Sequence, residues 1–132
     1  MAGLSESPAA AILRADNLER AKSFYIDVLG LREATELVSK GMIYFEAGQG
    51  TMVSLYERPG MGAPENTVLG FGVAAEDFDG VMTELRDKGV VFEDYDMPEI
   101  ELKTVNGIAT MDGAKAAWFK DSEGNIVNLV TM

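Results

Sequence analysis

The hydrophobic pattern passes through one series of periods and then passes through it again. Ala9–Arg14 is a short apolar run that predicts a first strand. From Leu18, the apolar residues Ala21, Phe24, Tyr25, Val28 and Leu29 recur at helical spacing on one face. Asp16 or Asn17 is placed to cap this helix, and Asp16 with Glu19 has capping-box spacing. Gly30 supplies the stop, because it tolerates a left-handed backbone. Arg32–Val38 then reads as a strand, and Ile43–Phe45 with Thr51–Tyr56 as a hairpin around Gly48-Gln49-Gly50.

Arg58–Asn66 contains Pro59, Gly60, Gly62 and Pro64, which break both helix and strand, so it reads as a linker. The plan then recurs. Val68–Val73 is a strand, and Glu76 or Asp77 caps a helix whose apolar face is Phe78, Val81, Met82 and Leu85. Gly89 ends that helix, Val90–Phe92 starts the next strand, and Ala116–Phe119 with Ile126–Val130 closes the unit. Glu93–Gly113 reads as a long irregular loop, of the kind often tied to function.

The repeat is also visible residue by residue. Ile43–Leu55 aligns without a gap on Ala117–Leu129. The sequence therefore predicts one α+β domain over 1–132, made of two repeated β-α-β-β-β modules. Module one covers about 9–57, the linker 58–66 and module two about 67–131. With a helix on one face of each sheet, the other faces are expected to form a cup-shaped partial barrel, with a small-molecule cavity where the halves meet.

Composition narrows the chemistry. The chain has no His and no Cys, which removes disulfides, thiol chemistry and imidazole-activated nucleophiles. Its formal charge is −11, from 22 acids against 11 bases. That balance disfavours nucleic acid and anionic membrane surfaces as partners and is compatible with a cationic ligand. No apolar run approaches the ~20 residues of a membrane span. Met1–Ala10 reads as a loose tail without a secretion signal, and the expected location is cytoplasmic. Phosphate-loop glycine patterns are absent.

Two segments carry a family resemblance. Asp16-Asn-Leu-Glu-Arg-Ala-Lys-Ser-Phe-Tyr-Ile-Asp-Val-Leu-Gly-Leu31 resembles the first helix of the vicinal oxygen chelate superfamily. Trp118-Phe-Lys-Asp-Ser-Glu-Gly-Asn-Ile-Val-Asn-Leu129 resembles its terminal hairpin. That superfamily includes glyoxalase I, bleomycin-resistance proteins, fosfomycin-resistance proteins and extradiol dioxygenases. The resemblance implies a divalent metal held by His or Gln on the first strand and Glu on the last strand of each half. Those positions fall here at about Ala10, within Val68–Gly70, and at Ser54 and Asn128. None is a strong ligand, so no metal and no cofactor are expected, although an all-oxygen magnesium or calcium site stays open in principle. The resemblance further implies a homodimer. The expected function is metal-independent binding of a small molecule, such as drug or metabolite sequestration. The alternative is a lyase or isomerase that works on a small anionic substrate without the usual metal site.

The candidate ligand-binding residues are Arg14, Ser54, Tyr56, Phe119 and Asn128. Arg14 shares a strand face with Ala10 and Ile12 and could grip an anion, or it could pair with Asp16 or Glu19. Ser54 and Asn128 could hydrogen-bond a neutral ligand, each other or water. Alternation puts Tyr56 on the face of Ser54, and pairing across the Asp121–Asn125 turn suggests that Phe119 shares a face with Asn128. Trp118 would then face the helix layer as core. Met52, Met97 and Met111 read as core filling or an adaptable wall. Glu93–Glu101 reads as a solvated acidic loop that could instead close over a cavity in the second half, with Lys103 and Asn106 as further polar contacts.

Overall fold

A computed structural model describes residues 3–132, so Met1 and Ala2 of the expected tail lie outside the described residues. The chain is α+β and divides into two compact units, Met1–Gly62 and Ala63–Met132, within the expected linker.

In module one, β1 (Ala11–Ala15) is followed by α1 (Leu18–Ser23), which runs on as a π-helical turn over Phe24–Val28. The cap is Asn17, whose Oδ1 accepts the Arg20 N–H at 3.0 Å. Asp16 has other partners, the guanidinium of Arg14 and the Gly60 N–H, so the Asp16–Glu19 capping box does not form. Three strands follow: β2 (Arg32–Glu33), β3 (Met42–Glu46) and β4 (Met52–Glu57). The expected strand over 32–38 thus shrinks to two residues. Beyond Ala34 the chain turns outward and leaves Leu37 and Val38 exposed.

The sheet order is β1-β4-β3-β2, with β1 parallel to β4 and the other pairs antiparallel. Leu13, Leu55 and Ile43 are cross-strand partners and all buried. Phe45 stacks on Tyr25 from the helical segment, with ring centroids 5.6 Å apart. Burying this face against α1 supplies the unit's apolar driving force.

In module two, β5 (Thr67–Val73) leads to α2 (Phe78–Asp87), which buries Phe78, Met82 and Leu85. Val90–Phe92 forms no strand of its own; Phe92 makes a single bridge to Phe119. The stretch 93–113 is not the irregular loop expected from its composition. It contains β6 (Asp96–Met97), β7 (Leu102–Val105) and β8 (Ile108–Met111). Two short turns make this possible. Asn106-Gly107 and Asp112-Gly113 hold positive φ at both residues, the geometry that joins twisted antiparallel strands. With β9 (Ala114–Lys120) and β10 (Ile126–Thr131) the sheet reaches six strands, in the order β5-β10-β9-β8-β7-β6. Module two is therefore the same unit as module one with its antiparallel edge extended.

Candidate functional site

Strand register builds two equivalent rows. In module one, Ser54 lies between Ile12 on β1 and Tyr44 on β3. In module two, Asn128 lies between Gly70 on β5 and Trp118 on β9. The repeat seen in the sequence, which matches Ser54 to Asn128 and Tyr44 to Trp118, thus holds at the level of pairing. Each row lies on the sheet face opposite the buried face of its own unit. Ile12, not Ala10, is the neighbour of Ser54.

Next to the first row, Arg14 pairs across strands with Tyr56, and Tyr56 with Met42. Arg14 is 4% exposed and meets the Asp16 carboxylate at 2.8 Å. Its charge is therefore already engaged by an acid two residues away. The Arg58 guanidinium lies over the Tyr56 ring, 6.0 Å from its centroid. A shallow depression of about 590 Å³ opens beside Ile12, Met42 and Tyr56.

In the second row, Asn128 lies across a glycine. A Cβ on Gly70 would collide with the Asn128 amide oxygen. Gly70 therefore lets Asn128 lie flat on the sheet, where a larger residue would push it away.

Register also corrects two of the expected faces. The turn Asp121–Asn125 pairs Lys120 with Ile126, so Phe119 faces Val127 and Trp118 faces Asn128. The turn is held by Asp121, whose Oδ1 accepts the backbone N–H groups of Glu123 and Asn125 and whose Oδ2 accepts the Asn125 amide. A one-residue difference in register exchanges the two sides of a strand. Phe119 is thus fully buried with Leu69 and Val127, edge-on to Phe92, and does not share a face with Asn128. Trp118 is not core; it is half-buried on the other side.

There Trp118 walls a cavity of about 580 Å³, together with Tyr95, Met97, Ile100, Glu93 and Lys120. The Tyr95 ring meets Trp118 edge-on, with centroids 5.7 Å apart and planes at 77°. Glu93, Tyr95, Met97 and Ile100 of the acidic stretch thus line this cavity, while Asp94, Asp96, Glu99 and Glu101 stay exposed to solvent. Of the five candidate ligand-binding residues, Arg14, Ser54 and Tyr56 share a face in module one. Asn128 lies on the corresponding face of module two and Phe119 lies in the core. Reading residues singly missed Tyr95 and Trp118 as cavity walls; the paired turn signals Asn106-Gly107 and Asp112-Gly113 were the available clue that Tyr95 belongs to a sheet edge.

Tyr95 is held by a short network. Its backbone N–H donates to Thr104 Oγ1 at 2.7 Å, Thr104 Oγ1 donates to Asp94 Oδ1 at 2.7 Å, and the Gly107 N–H donates to the same oxygen at 2.8 Å. Burial, with a smaller contribution from Glu93, raises the Tyr95 hydroxyl above its ordinary pKa, so it stays protonated at neutral pH. The Thr104 and Gly107 hydrogen bonds hold the Asp94 carboxyl below its usual range. A depressed folded pKa adds stability that is present above the unfolded value near 3.8 and is lost as pH falls through the folded value. Asp94→Asn is accordingly expected to lower the melting temperature at pH 7, with the gap to wild type closing below pH 3.8. A gap that persists unchanged in acid would mean that the carboxylate charge is not what fastens Tyr95.

The positions at which the resemblance implies a metal carry a poor donor set. Ser54 and Asn128 offer one hydroxyl and one amide, and their first-strand neighbours Ile12 and Gly70 offer no side-chain ligand. Catalytic zinc, iron or nickel sites draw on imidazole, thiolate and carboxylate, so these residues do not fit such an ion.

Comparison with known proteins agrees with this architecture. The fold is shared with a glyoxalase/dioxygenase from Nostoc punctiforme (TM-score 0.72, 15% identity, covering 99% of this chain and 94% of that one). It is shared equally with a lactoylglutathione lyase from Agrobacterium tumefaciens (0.68, 20%, 96% and 95%). The fosfomycin resistance protein FosX from Mesorhizobium loti is a further neighbour (0.66, 16%, 96% and 92%). No curated protein matches the sequence. No helix among the described residues is long and apolar enough to cross a membrane. The family model described as the Glyoxalase/Bleomycin resistance protein/Dioxygenase superfamily matches residues 8–129, and the chain belongs to that superfamily.

Proposed function

We propose that this protein binds a small molecule without a metal ion, in the manner of a sequestering member of its superfamily. The observation that carries the reading is the pair of equivalent rows, Ile12-Ser54-Tyr44 and Gly70-Asn128-Trp118. Where the resemblance places a Glu metal ligand, each row presents a neutral hydrogen-bonding group, Ser54 or Asn128, beside an aromatic ring. Such a surface favours a polar, flat ligand held by hydrogen bonds and ring contacts. The alternative, a metal-free lyase or isomerase gripping an anion through Arg14, is less well supported, because Asp16 already engages that cation.

The test is thermal denaturation in chelator and then with manganese, nickel or zinc, followed by a panel of bleomycin and neutral, cationic and anionic aromatic compounds. The expected result is a melting temperature that neither chelator nor metal moves and that at least one compound raises. A ligand at a hundred times its Kd stabilises by about 2.7 kcal/mol. A metal-dependent rise abolished by Asn128→Ala or Ser54→Ala would overturn the metal-free reading.

A further inference from the structure

The cavity beside Trp118 adjoins the second row, with which it shares Trp118, but it extends away from the row's centre: neither Gly70 nor Asn128 lines it. It is built at one end of module two from the segment after Gly62, the 93–102 stretch and the β9–β10 hairpin. We propose that this cavity binds a planar aromatic cation, stacked in the corner between Trp118 and Tyr95 with its charge toward Glu93. The proposal rests on the small-molecule reading above and names the class of ligand and its site.

Three features point to this ligand. The first is shape. Two rings at 77° form a corner in which a flat ligand can stack on one face and meet the other ring edge-on. A volume of about 580 Å³ lies within the usual range for small-molecule pockets.

The second is charge. The charged groups lining the cavity are Glu65, Glu93 and Lys120. The Lys120–Glu93 contact is long, at 3.7 Å, and Lys120 is 57% exposed. An ion pair of this kind contributes little, so a ligand cation can take the place of Lys120 at Glu93. Cations are also favoured over the electron-rich faces of Trp and Tyr. An anion would meet two carboxylates against the one ammonium of Lys120, and the field of a chain carrying −11.

The third is the rim. Ile100 is 64% exposed, and with Met97 it offers apolar surface that a bound ring would cover. Met97 adds an unbranched side chain able to adjust to the ligand's outline. Tyr95, protonated at neutral pH, keeps a hydroxyl for hydrogen bonding rather than a competing charge.

The chain has a single Trp, and it is Trp118, so intrinsic fluorescence reports directly on this cavity. The probe is proflavine, a planar tricyclic cation, set against anthracene-2-carboxylate, a planar tricyclic anion, both in chelator. Proflavine is expected to quench Trp118 saturably and to bind at least about tenfold more tightly than the anion. By dye anisotropy, Trp118→Leu and Glu93→Gln are each expected to weaken proflavine by about fivefold. Tyr95→Leu serves as a second wall variant should Trp118→Leu fold poorly. Proflavine binding that is unchanged in both wall variants would place the dye on the acidic surface and overturn the proposal, as would equal binding of the anion. If a panel compound instead stabilises the protein through Asn128 while proflavine ignores Trp118, this site falls and the small-molecule function stands. If neither proflavine nor any panel compound binds, both fall together.

Discussion

Phe119→Ala is expected to destabilise the protein by about 3–5 kcal/mol, whereas Trp118→Leu should cost about 1 kcal/mol or less. The two residues are adjacent, and on size alone the Trp would be the costlier loss. Register reverses that order. Phe119 has no exposed surface, lies in one row with Leu69 and Val127 and meets Phe92 edge-on. Truncating it leaves a cavity that the surrounding strands cannot fill, and the lost transfer energy and lost contacts add. Trp118 is half-buried and borders open space, so leucine removes ring contact with Tyr95 but creates no closed void. For a chain of this size the Phe119 variant should melt roughly 10–20 °C lower. Denaturation followed by far-ultraviolet circular dichroism suits both variants, because one of them lacks the only Trp. If Trp118→Leu proved the more damaging, the hairpin would have to pair one residue out of the register described.

Gly107→Ala is the second large effect, at about 2–4 kcal/mol. Gly107 has φ +80° in the turn between β7 and β8, where an L side chain is strained. A Cβ there would also lie 2.8 Å from the Phe92 Cβ and 3.3 Å from Arg86 Nη2. The first of these neighbours is fixed by its own backbone and cannot swing aside. Arg86 is committed as well, since its Nη2 donates to the Asn106 carbonyl at 2.6 Å and its guanidinium lies over the Phe92 ring. Displacing Gly107 would also weaken its N–H bond to Asp94, and with it the network that seats Tyr95. Gly113→Ala is the control. It has φ +85° in the equivalent turn, with nothing within 4 Å of an added Cβ. It should therefore cost only the backbone strain, about 1–2 kcal/mol. The difference between the two variants, measured by chemical denaturation, isolates the collision at Phe92 and Arg86. Equal costs would show that the surroundings of Gly107 yield freely and that this turn does not anchor the sheet edge.

Both predictions depend on features that the sequence displayed unequally. The duplicated plan was legible because each half repeats the same succession of periods. The hairpin stretches Ile43–Leu55 and Ala117–Leu129 also align without a gap. The helix stops at Gly30 and Gly89 were legible for a local reason: both residues take positive φ, which glycine alone adopts without strain. The strands within 93–113 were harder to see. Each has two to four residues and carries polar side chains such as Lys103 and Thr110, so no hydrophobic period rises above the background. Their turns were the stronger signal, since Asn-Gly and Asp-Gly favour hairpins through backbone geometry, independent of burial. The capping box at Asp16 failed because spacing says nothing about competitors. Arg14 and Gly60 claim that carboxylate, and Asn17 caps the helix in its place.

The sequence by itself determined the two-module α+β plan and the neutral character of Ser54 and Asn128. It also determined the absence of imidazole and thiolate anywhere in the chain, because these follow from residue type and local period. Only the tertiary structure decided which side of β9 faces the core. Side chains alternate every residue, and the pairing of Lys120 with Ile126 depends on the conformation of one turn. The aromatic cavity, too, belongs to the tertiary structure. Its walls come from segments up to about sixty residues apart, and no local pattern records that Tyr95 and Trp118 meet at 5.7 Å.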